Sequence, residues 1–243
     1  MLMSRALVYA HRGASGHELE NSYAAFVKAV ELGADGLEID LQLTKDLVPI
    51  VTHDLDFWRL ARTHRKVSSM NYEEVKKLKL GIYIFRLFNG SSILTFEEVL
   101  AFAKENNLAL NVELKETFVD APSQIDILSK RSYTNINIHF SSFHYEVLER
   151  IKKCNPLIQT AYIGTKKTNW EELSQLWAAD ALHIHKRYYK TDRLDLAFQS
   201  NMPLRFYGID GYETYLSNPH PAVIGWITDF PGRVLMEQKK KEF

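Results

Sequence analysis

Each thing this chain is short of removes a class of protein. It has one cysteine, Cys154, in 243 residues. No internal disulfide and no cysteine metal cluster can form, which suits a reducing compartment. Neither sign of charge is in surplus: Lys plus Arg number 30 and Asp plus Glu number 30. A chain without excess positive charge has little with which to grip a phosphate backbone, so nucleic acid is not an expected partner. An anionic membrane surface is not favoured either. No window approaches the roughly 18 uninterrupted apolar residues of a membrane span, so stable membrane insertion is not expected. The apolar stretch behind Arg5 is too short for a signal-peptide core, and a cytoplasmic location is the expectation. Low-complexity segments, internal repeats and Pro/Ser-rich linkers are missing too. Hydrophobic residues at 46% and charged residues at 25% make an ordinary globular composition. One domain over residues 1–243 is expected, since α/β barrels often reach about 250 residues as one unit. The Lys239-Lys240-Lys241 run reads as a solvated helix end, where cations suit the last carbonyls.

What is present is an alternation of short apolar strands with amphipathic helices, the mark of βα units on a parallel sheet. Strands are predicted at Ala6–Ala10, Gly36–Leu43, Pro49–Thr52, Leu108–Leu114, Ile136–Ser141, Ile158–Tyr162, Ala181–His185, Leu204–Ile209 and Val223–Ile227. Asn21 can cap a helix striped by Phe26, Ala29 and Val30, with Gly33 at its end. Thr95 and Glu98 form a capping box that opens a helix over Thr95–Asn106, and Pro231 suits the first turn of the last helix. Residues 54–94 are the least regular part. They read as a short excursion with a helix near Tyr72–Leu80, too small for a core of its own. The pattern predicts a (β/α)8 TIM barrel. A doubly wound open sheet is the competing fold, but no glycine-rich phosphate loop follows the first strand.

Chemistry concentrates on two strands. In Gly36–Leu43, side chains two apart share a face, so Glu38, Asp40 and Gln42 point one way and four apolar residues the other. In a barrel the apolar set meets the helices and the carboxylates face the lumen. There they lose hydration and repel one another, which calls for a positive partner. A solvated strand edge or a lysine partner is the plainer reading. Asn111–Lys115 adds Glu113 and Lys115 to an inward face. Three carboxylates from two strands make an oxygen-only cage, which suits Mg2+ or Ca2+ better than zinc. Lys115 can pair with Glu113, meet a substrate anion, or do both. His11 and His53 each follow a strand, where barrel enzymes carry catalytic groups, and an imidazole pair supplies both a base and an acid near neutral pH. His183 and His185 resemble the paired zinc ligands of amidohydrolase barrels, but that pair belongs to a first strand and this one lies late. His17, His64, His139, His144 and His220 read as surface or supporting residues, and Trp58, Trp170 and Trp177 as packing. Cys154 is not expected to be reactive.

Taken in order, His11-Arg12-Gly13-Ala14-Ser15-Gly16-His17, Glu20-Asn21, Glu38-Ile39-Asp40, His53-Asp54, Glu113-Leu114-Lys115, Ser142-Phe143 and Ile227-Thr228-Asp229-Phe230-Pro231 resemble the glycerophosphodiester phosphodiesterase family. The resemblance spans essentially the whole chain. It implies a TIM barrel, one divalent cation on Glu38, Asp40 and Glu113, acid–base work by His11 and His53, and phosphate binding by Arg12 and Lys115. Glu20 and Asn21 would support these groups from behind. The implied reaction cleaves a small glycerophosphodiester to sn-glycerol 3-phosphate and an alcohol. Leu19-Glu20-Asn21-Ser22 stands where the family commonly has Pro-Glu-Asn-Thr, and keeps its polar members. Tyr207-Gly208-Ile209-Asp210 stands where the family usually has Trp-Thr-Val-Asn, so Tyr207 is read as a substrate-facing wall. A one-residue slip of that alignment would put Phe206 there instead. Two other functions compete. One is a lysophospholipase D-like phosphodiesterase with an apolar trough from Trp58, Phe85 and Phe88. The other is a silent barrel that binds a phosphodiester or a protein.

Overall fold

A computed structural model describes residues 5–81 and 90–240. Among these, eight parallel strands close on themselves: β1 (Leu7–His11), β2 (Gly36–Leu43), β3 (Ala109–Leu114), β4 (Ile138–Ser142), β5 (Gln159–Ile163), β6 (Ala181–His185), β7 (Leu204–Ile209) and β8 (Val223–Thr228). Each pairs with its successor, and β1 pairs with both β2 and β8, so no barrel strand keeps an open edge. The predicted barrel is therefore the observed fold, with strand ends moved by a residue or two. No helix among the described residues is long and apolar enough to cross a membrane.

Alternation along each strand sorts the side chains. On β2, Leu37, Ile39, Leu41 and Leu43 turn outward and pack with Phe26, Phe96 and Leu100 of the surrounding helices. Glu38 and Asp40 turn inward. Lower in the lumen the filling is polar and aromatic. Tyr9 meets His139 edge-on at 5.5 Å, His139 meets His183 at 5.4 Å, and the Arg205 guanidinium lies over Tyr9 at 5.7 Å. Gly36 makes room for this layer, because a Cβ there would come within 2.8 Å of the Tyr9 ring and 2.6 Å of the Ala109 carbonyl.

The helices show where local signals hold and where they fail. Thr95 and Glu98 form the expected capping box for Phe96–Glu105, and Pro231 opens Pro231–Lys239. Gly33, at φ +79°, ends the first helix, Tyr23–Glu31. Its cap, however, is Ser22, whose hydroxyl accepts the Ala25 N–H at 3.2 Å. Asn21 sits just before it in a left-handed conformation, φ +53°, with its amide turned into the barrel.

Pro49–Val51 is not a barrel strand. It runs antiparallel to β2 and carries Leu94–Thr95 on its other edge. The excursion that follows folds on itself, with a two-stranded ribbon of Asp56–Phe57 and Thr63–Lys66 and a helix that covers only Tyr72–Val75. It has a small apolar cluster that includes Ile50, Phe57, Leu60, Val67 and Met70. Phe85 and Phe88 lie outside the described residues.

Candidate active site

The strand ends converge on one cavity of about 190 Å³, whose lining includes His11, Glu38, His53, Glu113, Lys115 and Tyr207. Glu38, Asp40 and Glu113 meet there, with one carboxylate oxygen from each within 4.8 Å of the others. All three are buried. β2 and β3 run in register, Asp40 beside Glu113, which is why two strands suffice to build the cluster.

Cations answer the carboxylates on two sides. Arg12 Nε lies 3.1 Å from Asp40 Oδ2, and its backbone N–H donates to Glu38 Oε2 at 3.1 Å. Arg12 reaches inward because its backbone is left-handed, φ +55°, just past the end of β1. Lys115 Nζ donates to Glu113 Oε1 at 2.7 Å and lies 3.4 Å from Asp40 Oδ1. The Asn21 amide donates to Asp40 Oδ2 at 3.0 Å. Burial opposes the charge of Asp40, yet Arg12, Lys115 and His53 outweigh it and hold its carboxyl below the usual range. Glu38 and Glu113 are less well served. Burial, and then the Asp40 charge, push Glu38 up to about 7 and Glu113 to about 8. Asp40 Oδ1 is buried without a hydrogen bond. A cluster of three buried carboxylates with only two cations beside it, and one Asp40 oxygen that accepts no hydrogen bond, fits a metal ion bound by oxygen alone.

Each candidate histidine is held by a carboxylate. His11 Nδ1 donates to Asp229 Oδ1 at 2.7 Å, and Ser15 Oγ donates to the same oxygen at 2.9 Å. Burial works against the imidazolium of His11, but the Asp229 hydrogen bond and the Glu38 charge prevail and raise its pKa. His53 Nδ1 donates to Asp54 Oδ1 at 2.9 Å. With Nδ1 occupied as donor in both rings, Nε2 is the nitrogen left for chemistry. His53 does not stand at a barrel strand's end as the sequence suggested. It enters on the loop after Pro49–Val51, with its carbonyl held by the Gln42 amide at 3.1 Å.

Asp229, Asp54, Ser15 and Arg59 are neighbours that the sequence reading left without roles. Arg59 joins Glu20, on the loop after β1, to Asp54. Glu20 also accepts from Arg12 Nη1 at 2.9 Å. Asp54 and Asp229 stand inside the quoted motifs, where a carboxylate next to a histidine, or next to the last strand, was the available signal. Arg59 gave none. Tyr207 does line the cavity, whereas Phe206 faces outward against Tyr189 and Trp226. His183 is buried in the lumen beside Arg205 and joins no carboxylate cluster, and His185 meets Tyr207 edge-on. His139 is a lumen residue too, not a surface one. Trp58 and Trp177 are half exposed, not packed inside.

A barrel with carboxylates and histidines gathered at its strand ends is here that of a phosphoric diester hydrolase. The chain belongs to the glycerophosphoryl diester phosphodiesterase family, whose model matches residues 11–233. A glycerophosphodiester phosphodiesterase of Caldanaerobacter subterraneus subsp. tengcongensis is 38% identical over 155 residues, which cover 63% of this chain and 64% of that protein. YhdW of Bacillus subtilis is 30% identical over 243 residues, 96% of this chain and 98% of its own length. In fold, the chain is similar to an Oleispira antarctica phosphodiesterase solved with its product sn-glycerol-3-phosphate. The TM-score is 0.85 at 23% identity, and the match covers 96% of each chain.

Proposed function

We propose that the chain hydrolyses small glycerophosphodiesters to sn-glycerol 3-phosphate and an alcohol, using one divalent cation, Mg2+ or Ca2+, on Glu38, Asp40 and Glu113. The observation that carries this reading is the buried trio of carboxylates opposite two imidazoles, each tied to its own aspartate. A cation bound there would supply Lewis-acid stabilisation of charge on the phosphoryl group. Arg12 and Lys115 point their cationic ends at the same place and hold the phosphate. One of His11 and His53 takes the proton of the attacking oxygen, and the other gives a proton to the departing alkoxide. Asp229 and Asp54 keep each ring oriented, and Asp229 stabilises the charged form of His11. Glu20 and Asn21 hold Arg12 and Asp40 in place. Tyr207, with Phe143 and Ile227, gives the cavity an apolar wall for the glycerol carbons. The product seen in the Oleispira antarctica structure supports the substrate class.

The test is release of sn-glycerol 3-phosphate from glycerophosphocholine and glycerophosphoethanolamine, with EDTA and with Mg2+ or Ca2+ restored. Turnover that needs the metal is expected. Undiminished turnover in EDTA would overturn the metal's part, and no product from any glycerophosphodiester would overturn the reaction.

A further inference from the structure

His11 and Arg12 are the two residues shared between the site's cavity and a second, larger cleft of about 640 Å³. Glu38, Glu113 and Lys115 line the first and are not part of the second. A phosphodiester centred on Arg12 therefore has one arm beside the carboxylates and the other in this cleft. We propose that the cleft receives the departing alcohol, and that it selects an uncharged, hydroxyl-rich head group, a polyol. This rests on the reaction proposed above.

Among the described residues, the arginines and carboxylates of the cleft are equal in number. Arg12, Arg59 and Arg62 line it against Glu18, Glu20 and Asp229. Neither sign of charged head group gains from an excess of arginines or carboxylates there, whereas one with many hydroxyls can donate to the carboxylate oxygens, each of which takes more than one hydrogen bond. Trp58 is the wall on which a quaternary ammonium would stack. Its ring is already engaged: His64 lies flat against it at 4.0 Å and 10°, and the Arg62 guanidinium sits over it at 5.4 Å. A cation of the protein thus holds the place that a choline head would take. Apart from Trp58, the apolar lining among the described residues is Leu19 and Leu60, and Leu60 is buried. The frame is firm, because Arg59 spans Glu20 and Asp54 with its whole guanidinium.

The experiment compares kcat/KM for sn-glycerol 3-phosphate release from glycerophosphoglycerol, glycerophosphoinositol, glycerophosphocholine and glycerophosphoethanolamine. The two polyol esters are expected to lead glycerophosphocholine by roughly tenfold or more, the scale of discrimination that polar contacts provide. Arg62→Ala vacates the ring face and is expected to narrow that lead by raising choline use. Glycerophosphocholine equal to or ahead of the polyols would overturn the head-group assignment while leaving the reaction intact. An unchanged ratio in Arg62→Ala would overturn the part assigned to the tryptophan. Release of product from none of the four would overturn the underlying reaction, and the proposal with it.

Discussion

Arg59 commits every nitrogen of its guanidinium: Nε to Asp54 Oδ2 at 2.7 Å, and Nη1 and Nη2 to the two Glu20 oxygens at 2.5 and 2.7 Å. Those carboxylates in turn hold His53 and Arg12. One side chain from the excursion therefore sets the orientation of a candidate proton-transfer group and of a candidate phosphate ligand. Arg59→Gln is expected to lower kcat by up to roughly 10²-fold, the penalty of a misplacement near 1 Å, with a smaller change in KM. Arg59→Lys should fail to restore it, since one ammonium cannot span both carboxylates. A change confined to KM would instead place Arg59 in substrate binding alone. For the histidines, His11→Ala and His53→Ala should each lower kcat by roughly 10²–10⁴. His183→Ala should leave metal content unchanged when the purified variant is assayed for bound metal. Loss of the metal in that variant would move the metal site to the late histidine pair.

On the scale of strands and helices, β7 offers a clean comparison of its two faces. Tyr207 lines the cavity, and Phe206, fully buried, packs on Tyr189 and Trp226. Tyr207→Ala should raise KM more than it lowers kcat, because a wall bears about equally on ground and transition states. Phe206→Ala should lower stability by about 3–5 kcal/mol in chemical denaturation. The reverse pattern would shift the register of this strand by one residue. The two-residue period of the strands was readable from the sequence because burial on both faces enforces it. So was the Thr95–Glu98 box, which depends on four consecutive residues. What sequence could not carry is tertiary. Asn21 resembles a cap by type, yet Ser22 takes that place and Asn21 donates to Asp40. Pro49–Val51 has a barrel strand's composition but an antiparallel partner. The contact between Arg59 and Glu20 joins residues 39 apart, which no local pattern encodes.

Across the whole molecule, the carboxylate cluster makes stability depend on pH and on metal together. Glu38 and Glu113 sit near 7 and 8 in the folded chain against an ordinary value of 4.5. Between pH 4.5 and about 8 the folded state therefore keeps protons that the unfolded chain has released. By linkage its stability, free of metal, falls as pH rises through that window. Thermal melts in EDTA should show Tm falling from pH 5 to pH 8. With metal bound, both carboxyls are ionised, so the fall should vanish and binding should release protons, visible as a buffer-dependent heat in calorimetry. A cation at a hundred times its Kd adds about 2.7 kcal/mol of stability, so Tm should rise with metal concentration. A metal-free Tm that rose with pH over this range would contradict the charge state assigned to the cluster.

His11 and Asp229 stand 218 residues apart in the chain, and β1 pairs along one edge with β8. Synthesis runs from the N-terminus, so the first strand and its histidine emerge long before the segment that completes them. Until Val223–Thr228 has left the ribosome, β1 keeps a bare row of amides and carbonyls, ready to pair with a neighbouring nascent chain. Over that interval the carboxylates of β2 and β3 are already made, but His11 has no aspartate and the cylinder has a seam. The arrival of Val223–Thr228 therefore decides when the edge closes.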